Sequence, residues 1–572
     1  MTLGIRRRSV PAAPLLNTGG LHPVLQRVYA ARGLRDPAEL DLRLTGLLRP
    51  DLAGLEAAVV LLGQQRARGG RITVVGDFDA DGATGTAVAV RGLRMLGFER
   101  VDYRVPNRFL HGYGLSPALV AELEPAPDLI LTVDNGVAAH AGVAAAQARG
   151  IRVLVTDHHL PGDALPTADA MVNPNVPGCG FPSKALAGVG VVFYLLLALR
   201  AEMRRLGAFA DGSGPDLGAL LDLVALGTVA DLVPLDRNNR LLVQAGLKRI
   251  RAGHACAGVR ALYQVAGRDM ARASATDFGF VLGPRINAAG RLEDMAVGIE
   301  CLLCDDPQQA EAHAQRLQAL NSERRELQQQ MVEQAEAAVL RADLSPQAGL
   351  AAGVALADAG WHAGVVGLVA SKLKERLHRP VFALAPGDED GLEWKGSGRS
   401  IPGFHLRDCL AEIEARHPNL MLRYGGHAMA AGLSLEPSQV ERFCRLFAET
   451  VERRIDPALL QPVLETDGEL GLGDFGLELA ELLREAGPWG QAFPEPLFDN
   501  EFEVADWRVL GERHLRMGLR PVGSRLPLSA IHFGGWSGQP PPARIRAAYQ
   551  LGSDSWRGSP ELRLFLRHWE PA

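Results

Sequence analysis

Short apolar runs alternate with longer Ala- and Leu-rich segments over the first half of the chain. Residues 72–75 and 151–155 are rich in β-branched residues and lack polar alternation, which is typical of strands buried on both faces of a parallel sheet. Residues 131–133 have the same character. The segments between these runs have the length and composition of crossover helices. Residues 51–305 are therefore predicted to form an α/β domain around a mainly parallel sheet.

The pattern changes several times outside this domain. Residues 1–50 are rich in Arg and Leu and predict a helical lead-in. Residues 306–345 carry Gln, Glu, Ala and Leu, with no Pro after Pro307, and predict one long exposed connecting helix. Residues 346–456 resume the alternation and predict a second, smaller α/β domain. Residues 463–572 contain short strand-like runs separated by Gly and Pro, and predict a small β-barrel.

Composition changes this picture only in the last segment. The net charge of −6 over 572 residues gives no global signal for nucleic-acid binding. From Ala505 onward, however, there are ten Arg against five Asp and Glu. Four of the seven Trp also lie there, namely Trp507, Trp536, Trp556 and Trp569. A basic, aromatic barrel suits single-stranded nucleic acid; the equally weighted alternative is that the Trp side chains fill the barrel core.

Cysteine usage and the absence of long apolar runs bear on the compartment. The six cysteines are widely spread, as is usual for reduced thiols, and the close pair Cys301 and Cys304 predicts simple core packing. Arg6 to Arg8 are not followed by the apolar stretch of a signal peptide. No run reaches the ~18 apolar residues of a membrane span. We therefore expect a cytoplasmic protein that is not embedded in a membrane.

Acidic residues follow the predicted strands at the points where the strands end. Asp77, Asp79 and Asp81 come after the first run, and the triplet 157–159 (Asp-His-His) comes after a later one. Alternation would send the three aspartates to one face, whereas a turn would fan them out. A buried carboxylate is rare unless it is paired or bound to metal. Ligands bind at the carboxyl ends of strands in open α/β sheets.

Two further aspartates extend the set. Asp134 ends the run 131–133, and Asp231 follows a small-residue segment, 223–230, which we interpret as another strand end. Together with His158, these carboxylates could hold two metals ~3.5 to 4 Å apart, the clamp used for in-line phosphoryl displacement. Oxygen-rich ligands with one or two His favour Mg²⁺ or Mn²⁺ over Zn²⁺.

The motifs resemble a known superfamily. Residues 157–159 match the signature triplet of the DHH phosphoesterases, and Gly425-Gly426-His427 matches the Gly-Gly-His motif of their associated second domain. Within the superfamily the chain is most similar to the exonucleases that degrade single-stranded DNA from the 5′ end. The supporting motifs, in family order, lie at residues 76–82, 106–114, 173–175, 283–291, 360–367 and 397–400. The terminal segment resembles the OB-fold of those enzymes.

The resemblance implies roles for the acidic cluster. It marks Asp79, Asp81, Asp134, His158, His159 and Asp231 as catalytic residues, with Asp134 bridging two ions of Mn²⁺ or Mg²⁺. Asp77 is either a metal ligand or a neighbour of one. His158 is expected to bind metal, and His159 to contact the scissile phosphate or orient a ligand, because adjacent residues on a strand diverge. The alternatives are Asp-Gly turns, a surface His pair and, for Asp231, a helix cap.

A second group is expected to bind the substrate. In Gly-rich contexts, Arg108, Arg285 and Arg291 suit bidentate phosphate contacts, and the alternative is ion pairing with the sheet carboxylates. By resemblance, Ser397, Arg399 and Ser400 form a pocket for a 5′ phosphate; the alternative is a hairpin turn. Gly425, Gly426 and His427 could form a phosphate nest or a tight turn with a core His. The remaining members of the group are His111, Tyr113 and Asn287, while Asn175 is either a support for the site or a turn residue.

The resemblance further implies a monomer that acts on single-stranded DNA with a single-strand-binding protein and a helicase as partners. Two other interpretations remain. A phosphodiesterase for oligonucleotides or cyclic dinucleotides, or a pyrophosphatase, would need only the first two domains. A non-catalytic replication scaffold should have lost metal ligands, and no ligand position is missing.

Overall fold

The structure is a computed structural model that describes residues 3–10, 20–108, 111–210, 212–341, 351–387, 391–554 and 560–572. The strands of the described chain are β1 Gly4–Arg7, β2 Ile72–Val75, β3 Val101–Arg104, β4 Leu129–Val133, β5 Arg152–Thr156, β6 Ala170–Val172, β7 Val354–Ala357, β8 Val381–Pro386, β9 Trp394–Arg399, β10 Arg423–Gly426, β11 Ala430–Leu435, β12 Val463–Thr466, β13 Phe498–Leu510, β14 His514–Pro521, β15 Leu528–His532, β16 Arg544–Asp554 and β17 Glu561–Pro571.

The α-helices of the same residues are α1 Pro23–Ala31, α2 Leu55–Ala67, α3 Ala80–Met95, α4 Pro117–Ala121, α5 His140–Ala148, α6 Gly188–Arg205, α7 Leu221–Ala230, α8 Arg237–Arg251, α9 Ala257–Val265, α10 Ala275–Asp277, α11 Gly283–Leu292, α12 Ala296–Leu303, α13 Pro307–Arg341, α14 Val366–Leu377, α15 Leu406–Arg416, α16 Val440–Arg454 and α17 Leu477–Glu485. A π-helical turn, Phe278–Leu282, connects α10 to α11.

The chain divides into two compact units. The first, which we call the parallel-sheet unit, consists of Val10–Asn321 and Glu478–Pro496. The second, the barrel unit, consists of Met1–Ser9, Ser322–Leu477 and Leu497–Ala572. The long helix α13 begins in the parallel-sheet unit and ends in the barrel unit.

The parallel-sheet unit is built on five strands in the order β3-β2-β4-β5-β6, and all four pairings are parallel. Strands β2 and β4 are buried along their whole length, as the apolar, β-branched sequences require. The chain leaves β2 for β3 on one side and returns to β4 on the other. The topological switch point therefore lies between β2 and β4, where α/β sheets bind ligands.

Helices cover both faces of this sheet. On one face, α4 and α5 contribute Leu119, Val120, Val143 and Ala146 to a buried cluster that includes Val75 of β2 and Ile130 of β4. On the other face, α3 and α6 pack against the strands and against each other. The close approach depends on small residues, since a Cβ at Gly85 of α3 would lie 2.6 Å from the Val133 side chain.

The barrel unit contains a second five-stranded sheet, in the order β10-β11-β9-β8-β7, in which only β7 and β8 run parallel. Its core includes Phe382 of β8 packed edge-on against Phe443 and Phe447 of α16. The prediction of a second, smaller α/β domain is confirmed, while its bounds stay a prediction.

The last five strands form the predicted barrel. They pair in the order β13-β14-β15-β17-β16, and β16 also pairs with β13 to complete the ring. The fold class, a parallel-sheet domain joined by a long helix to a smaller α/β domain and followed by an OB-fold barrel, is confirmed.

Several details differ from the predictions. The lead-in is not wholly helical, because β1 pairs in parallel with β12, a partner more than 450 residues away in the chain. The helix α13 is not exposed all round, since Ala310, Ala314 and Leu317 are buried along one face. Residues 342–345 of the predicted connecting helix lie outside the described residues. Within 463–572, the segment Glu478–Pro496 belongs to the parallel-sheet unit. No helix among the described residues is long and apolar enough to span a membrane.

Candidate metal centre

Three aspartates follow β2 and diverge as the strand gives way to a helix. Asp79 is the N-cap of α3, and its Oδ1 accepts a hydrogen bond from the Gly82 amide at 2.9 Å. Asp77 precedes this cap, and Asp81 lies in the first turn of the helix. The transition therefore fans out carboxylates that strict strand alternation would have placed on one face.

Asp81 is held by the N-terminus of another helix. Its two carboxylate oxygens accept hydrogen bonds from the amides of Gly188, at 2.6 Å, and Val189, at 2.9 Å, in the first turn of α6. The first amides of a helix lack partners within the helix and carry partial positive charge, so they suit a buried carboxylate. This contact fixes α6 over the carboxyl end of β2.

Asp134 follows β4 in a left-handed backbone conformation, with φ 62°. Asp tolerates this region better than most residues, although it remains uncommon. Its amide donates to the Thr156 carbonyl at 3.1 Å. The helix α6 approaches so closely that a Cβ at Gly188 would lie 2.5 Å from Asp134 Cβ. The backbone and the helix together hold this carboxylate at the switch point.

The two histidines follow β5 and meet the same carboxylate. His158 Nε2 lies 3.0 Å from Asp134 Oδ1, and His159 Nδ1 lies 3.9 Å from that same atom. The ring centroids are 4.5 Å apart. The divergence expected from strand alternation does not occur, because β5 ends at Thr156 and both residues lie beyond it.

Asp231 arrives from a helix rather than from a strand. It is the C-cap of α7, and its Oδ2 lies 3.5 Å from His158 Nε2. The prediction of a strand end at residues 223–230 is wrong, since that run is a buried helix. A short run of small and apolar residues does not distinguish a buried helix from a buried strand. Asp231 is therefore at the end of a helix, as in the alternative, and its carboxylate lies beside His158, while its role as a metal ligand stays a prediction.

Four polar atoms in this cluster are buried and make no hydrogen bond to the residues that the structure describes: Asp77 Oδ1, Asp134 Oδ1, His158 Nε2 and Asp231 Oδ2. Such atoms are costly in a protein interior. Three overlapping sets have ligand atoms within 4.8 Å of one another, namely Asp77-Asp79-Asp134, Asp81-His158-Asp231 and Asp134-His158-His159. The donor chemistry, oxygen-rich with imidazole, fits Mg²⁺ or Mn²⁺.

The electrostatics of the cluster agree with this fit. Burial raises the pKa of Asp81 to about 7, and the Asp79 carboxylate adds to the shift. The pKa values of Asp77, Asp134 and Asp231 also rise, because of burial and then of mutual repulsion. Burial lowers the pKa of His158 to about 4, so its imidazole is neutral and able to bind metal. Nearby divalent cations would relieve the repulsion.

His159 differs from His158 because it has a carboxylate of its own. Its Nδ1 lies 2.8 Å from Asp157 Oδ1. Burial lowers the pKa of His159, but this hydrogen bond and the charges of Asp157, Asp77 and Asp79 together raise it. The His159 side chain is 47% exposed, against 13% for His158. It can therefore reach a bound substrate.

Asp157 is a supporting residue that was not among the predicted site residues. It is fully buried, and it accepts hydrogen bonds from the amides of Val137, His158 and His159 as well as from the His159 ring. Two asparagines hold the same loop from behind. Asn173 Nδ2 donates to the His159 carbonyl and Asn175 Nδ2 to the His158 carbonyl. The membership of Asp157 in the triplet was the signal that could have identified it.

Several predicted substrate residues lie beside this centre. The Tyr113 hydroxyl donates to the Asp134 carbonyl at 3.0 Å, and its ring packs edge-on against His159. The Arg108 guanidinium stacks on Phe78 at 4.3 Å. Phe78 in turn meets Tyr113 edge-on. An aromatic and cationic rim thus surrounds the carboxylates, which supports the phosphate-contact interpretation for Arg108 and leaves Tyr113 accessible.

Other predicted substrate residues make structural contacts. His111 Nε2 pairs with Glu122 at 3.0 Å, and its Nδ1 accepts from the Asn107 amide. Asn287 Oδ1 accepts from the Ala80 amide and so supports the Asp79 cap. Arg285 donates to Gln318 and to the Val281 carbonyl. For these residues the structure favours scaffolding, and Arg291 is half-buried in the same helix, α11.

The barrel unit carries the remaining predicted residues. Arg399 Nη1 donates to Ser397 Oγ at 2.9 Å, and both side chains face Gly367, where an added Cβ would lie within 3.0 Å of each. Gly367 is in the first turn of α14. Ser400 is buried, and its hydroxyl donates to the Phe404 carbonyl at 2.8 Å. Ser400 therefore supports the loop, while Ser397 and Arg399 lie at a helix N-terminus, a position that suits an anion.

The Gly-Gly-His motif forms a hairpin connection. Gly425 and Gly426 end β10, and the amide of His427 donates to the Ala430 carbonyl at 2.8 Å. Gly426 has φ 133°, and a Cβ there would lie 2.4 Å from the Ala430 carbonyl oxygen. The tight turn of the alternative is therefore found and glycine is required at this position, but His427 is exposed and is not a core residue.

The Trp residues of the barrel are not core residues where they are described. Trp507 is 41% exposed and stacks on the half-buried Trp536, with ring centroids 5.6 Å apart and an interplanar angle of 19°. Trp569 is half-buried as well. Trp556 lies outside the described residues. An exposed pair of stacked indoles is suited to nucleobase stacking.

Three family descriptions match the chain. The DHH family, N-terminal domain, matches residues 71–228; the DHHA1 domain matches residues 348–453; and the RecJ OB domain matches residues 466–568. The first covers the strands that carry Asp77 to His159.

Similar proteins and structures span nearly the whole chain. "Single-stranded-DNA-specific exonuclease RecJ" of Dickeya dadantii is 51% identical and the protein of the same name in Escherichia coli is 50% identical, each alignment covering at least 98% of both chains. The crystal structure of RecJ from Thermus thermophilus in complex with Mn²⁺ matches with a TM-score of 0.80 at 33% identity, covering 96% of this chain and 76% of that one. Its Mg²⁺ complex matches with a TM-score of 0.73 at 31% identity, covering 96% and 75%.

Proposed function

The chain belongs to the RecJ family of DHH phosphoesterases, and from that premise we propose that it is a metal-dependent exonuclease that hydrolyses single-stranded DNA from the 5′ end. The observation that carries the proposal is the set of four buried ligand atoms without hydrogen bonds at the sheet switch point. All the carboxylates expected for two ions are present. A scaffold that had lost catalysis would not retain this costly arrangement of acids.

The candidate metal ligands fall into two groups by position. Asp77, Asp79 and Asp134 would hold one cation, and Asp81, His158 and Asp231 the other; Asp134 also lies beside His158. Bound Mn²⁺ or Mg²⁺ would supply Lewis-acid activation of water and neutralise charge on the phosphate. Because His158 is neutral, it can bind a cation without first releasing a proton.

His159 and Arg108 would act on the substrate. Asp157 fixes one ring nitrogen of His159, which leaves the exposed ring edge for the scissile phosphate or the leaving oxygen. The Arg108 guanidinium stacks on Phe78, and the nearby charges of Asp77 and Asp79 favour its protonated form. A planar cation at that place suits a phosphate oxygen of the strand.

The preference for a 5′ end is assigned to the barrel unit. Ser397, Arg399 and the first turn of α14 supply a hydroxyl, a guanidinium and helix amides around one point. Among the described residues no carboxylate pairs with Arg399, and burial lowers its pKa. An anion such as a terminal phosphate would compensate this charge.

A variant at this position tests the polarity. Arg399→Ala should lower the preference for 5′-phosphorylated over 5′-hydroxyl ends about tenfold, as expected for one charge-assisted contact of about 1.5 kcal/mol. Arg423→Ala, which removes an exposed arginine of the same unit, is the control. Equal loss on both substrates would refute the pocket.

The barrel is assigned to strand binding. The Trp507–Trp536 pair offers a stacking face, and Arg508 and Arg513 are exposed nearby in the sequence. A single-strand-binding protein, a helicase, a monomeric state and a cytoplasmic location are expected from the family resemblance. The six free cysteines fit a reducing compartment.

Digestion of end-labelled DNA distinguishes the candidate functions. With Mn²⁺ or Mg²⁺, the protein should release mononucleotides from the 5′ end of a long single strand and leave blunt duplex intact; with EDTA it should release nothing. Cleavage confined to dinucleotides or cyclic dinucleotides would favour the smaller phosphodiesterases. Binding of the strand without cleavage in either metal would favour the scaffold.

A further inference from the structure

A pocket in the parallel-sheet unit, lined by residues outside the DHH motifs, contains a buried arginine. The cavity has a volume of about 240 Å³ and lies among α1, the 3₁₀ segment near residue 40, α8 and the end of α17. Its polar lining includes Arg43, Arg240, Gln244, Lys248 and Glu485. No motif of the sequence analysis falls on these residues.

Arg240 is the unusual member of this lining. Only 4% of it is exposed, and its Nε makes no hydrogen bond within the described part of the chain. Among the described residues, no carboxylate forms an ion pair with it. Its guanidinium stacks on the Phe493 ring at 4.3 Å, which supports one face of the plane but leaves its N–H groups without a charged partner. A buried arginine in this state is costly unless an anion completes it.

The acidic side chains near Arg240 accept hydrogen bonds from other groups. Asp41 is held by Arg43 through a bidentate contact of 2.6 to 3.0 Å. Glu485 accepts from Arg484 at 3.0 Å. Glu39, the acid with the largest effect on Arg240, accepts the amides of Arg35 and Asp36.

The other groups of the pocket complete an oxyanion cradle. Lys248 is exposed at the rim, and Gln244 is half-buried one turn away on the same helix. Tyr29 donates its hydroxyl to the Ala486 carbonyl, and burial raises its pKa to about 12, so it remains neutral. Among the described residues, neither Arg240 nor Lys248, which both line the cavity, forms an ion pair with a carboxylate.

We propose that this pocket binds a phosphate-class oxyanion, with Arg240 as its bidentate donor and Lys248 as a second cation. The planar fork of arginine matches two oxygens of such an anion. The cavity holds a phosphate group with a few waters, but it is small for a whole nucleotide. The anion is therefore either free phosphate, the phosphate end of a nucleotide, or a backbone phosphate of a strand.

The full-length protein in EDTA tests the proposal, because chelation removes phosphate binding through the metal centre. Inorganic phosphate is titrated at constant ionic strength in chloride, with calorimetry and the melting temperature as readouts. Wild type should bind phosphate saturably and melt at a higher temperature, and Arg399→Ala, which lacks the guanidinium of the 5′-phosphate pocket, should retain one equivalent at the pocket lined by Arg240. Arg240→Met should weaken binding at least tenfold, and should melt higher than wild type in phosphate-free buffer because a buried charge is gone.

Two further variants make the result specific. Arg32→Met removes a neighbouring arginine that stacks on Trp489 but donates to the Pro494 and Val28 carbonyls; it should leave phosphate binding unchanged. Lys248→Met should weaken binding a few-fold, and it serves as the main variant if Arg240→Met does not fold. Absence of saturable binding by wild type, or unchanged affinity in the Arg240 and Lys248 variants, overturns the proposal.

Competition identifies the source of the anion. If the phosphate end of a nucleotide is the ligand, deoxyadenosine monophosphate displaces phosphate and a 5′-hydroxyl oligonucleotide does not. If a strand backbone is the ligand, the 5′-hydroxyl oligonucleotide displaces phosphate, and this displacement disappears in Arg240→Met. If neither displaces it, a free inorganic oxyanion is the ligand.

Discussion

Two carboxylate sites in this protein have their negative charge compensated in opposite ways. In the barrel unit, Asp499 is fully buried but accepts hydrogen bonds from Arg7, Arg546 and Thr466. In the parallel-sheet unit, Asp77 and Asp134 are buried and Asp231 is half-buried, yet each has a buried oxygen that accepts no hydrogen bond from the described residues. The protein supplies the counter-charge in the first case and leaves it to bound cations in the second.

The difference shows in the pKa values. Burial alone would raise the pKa of Asp499, but the hydrogen bonds from its arginines and Thr466 outweigh burial and lower it. At the metal centre, burial and repulsion act in the same direction and raise the pKa values. A carboxylate whose pKa is lowered contributes to stability, whereas one whose pKa is raised reduces the stability of the metal-free fold at neutral pH. Asp499 therefore stabilises the fold, whereas the acids at the metal centre destabilise the metal-free fold and are suited to binding cations.

The largest expected effect is on turnover. Asp134→Asn keeps a residue that tolerates the left-handed backbone but removes the charge that both cations would share. Activity in Mn²⁺ and Mg²⁺ should fall about 1,000-fold or more, since metals supply several kcal/mol of transition-state stabilisation. Single-turnover hydrolysis of labelled single strands measures the loss, with the exposed Asp163→Asn as control. Near-normal turnover would show that Asp134 is not a metal ligand.

The next effect is on stability. Asp499→Asn leaves two arginines without their shared counter-charge and should lower the free energy of unfolding by about 2 kcal/mol, less than for a fully buried pair because Arg7 and Arg546 are partly exposed. The folded pKa is lowered, so this stabilisation is present above the unfolded pKa near 4 and disappears as the pH falls below it. Urea denaturation at pH 3 to 7 measures both properties.

A matched variant controls this measurement. Glu469→Gln removes an exposed partner of Arg7 and should change stability by less than about 0.5 kcal/mol. A similar loss in both variants would contradict the special role of Asp499. Cleavage of very short oligonucleotides should survive in Asp499→Asn.

The sequence predicted the grouping of the acids at the metal centre better than it predicted the contacts of Asp499 with Arg7 and Arg546 in the barrel unit. The reason is physical. Buried parallel strands are continuous apolar runs, and acids at their ends stand out, so Asp77, Asp134 and His158 could be placed together. Asp231 was assigned to the right site but to the wrong element, because residues 223–230 have no period that separates helix from strand. The pairing of β1 with β12, which brings Arg7 to Asp499, joins segments with no local signal for each other.

The supporting residues were also harder to predict. His111 lies within a motif, yet its ring is hydrogen-bonded to Glu122, eleven positions later in the chain. No sequence motif marks Glu122 as its partner. The exposure of Trp507 could not be predicted from composition, since aromatic residues occupy both barrel cores and binding faces. These outcomes depend on long-range packing rather than on local pattern.

A smaller effect concerns the barrel. Deleting residues 463–572 would also remove Glu478–Pro496, whose Trp489 stacks on Tyr29 in the parallel-sheet unit, so a point variant is the cleaner test. Trp507→Ala should weaken binding of a long single strand by about 1 to 2 kcal/mol, the worth of one stacked base, with the greatest loss at high salt. Trp507→Phe keeps an aromatic face and should retain most of the affinity. Unchanged affinity in the alanine variant would instead assign this face to protein docking.

The smallest effect, on stability against pH, is opposite in sign at the two carboxylate sites. In EDTA, the pKa of Asp81 is about 7 in the folded protein and near 4 in the unfolded chain, so the folded state binds more protons between these values. The free energy of unfolding should therefore fall as the pH rises from 5 to 7.5, by at most about 1.4 kcal/mol per pH unit for one proton. Mn²⁺ should abolish this slope, because a cation stabilises the ionised carboxylates, and Asp134→Asn should reduce it by removing one repelling charge. Urea denaturation at four pH values, with and without metal, measures the slope. A flat profile in EDTA would mean that protein groups already compensate the cluster, and the contrast with Asp499 would no longer hold.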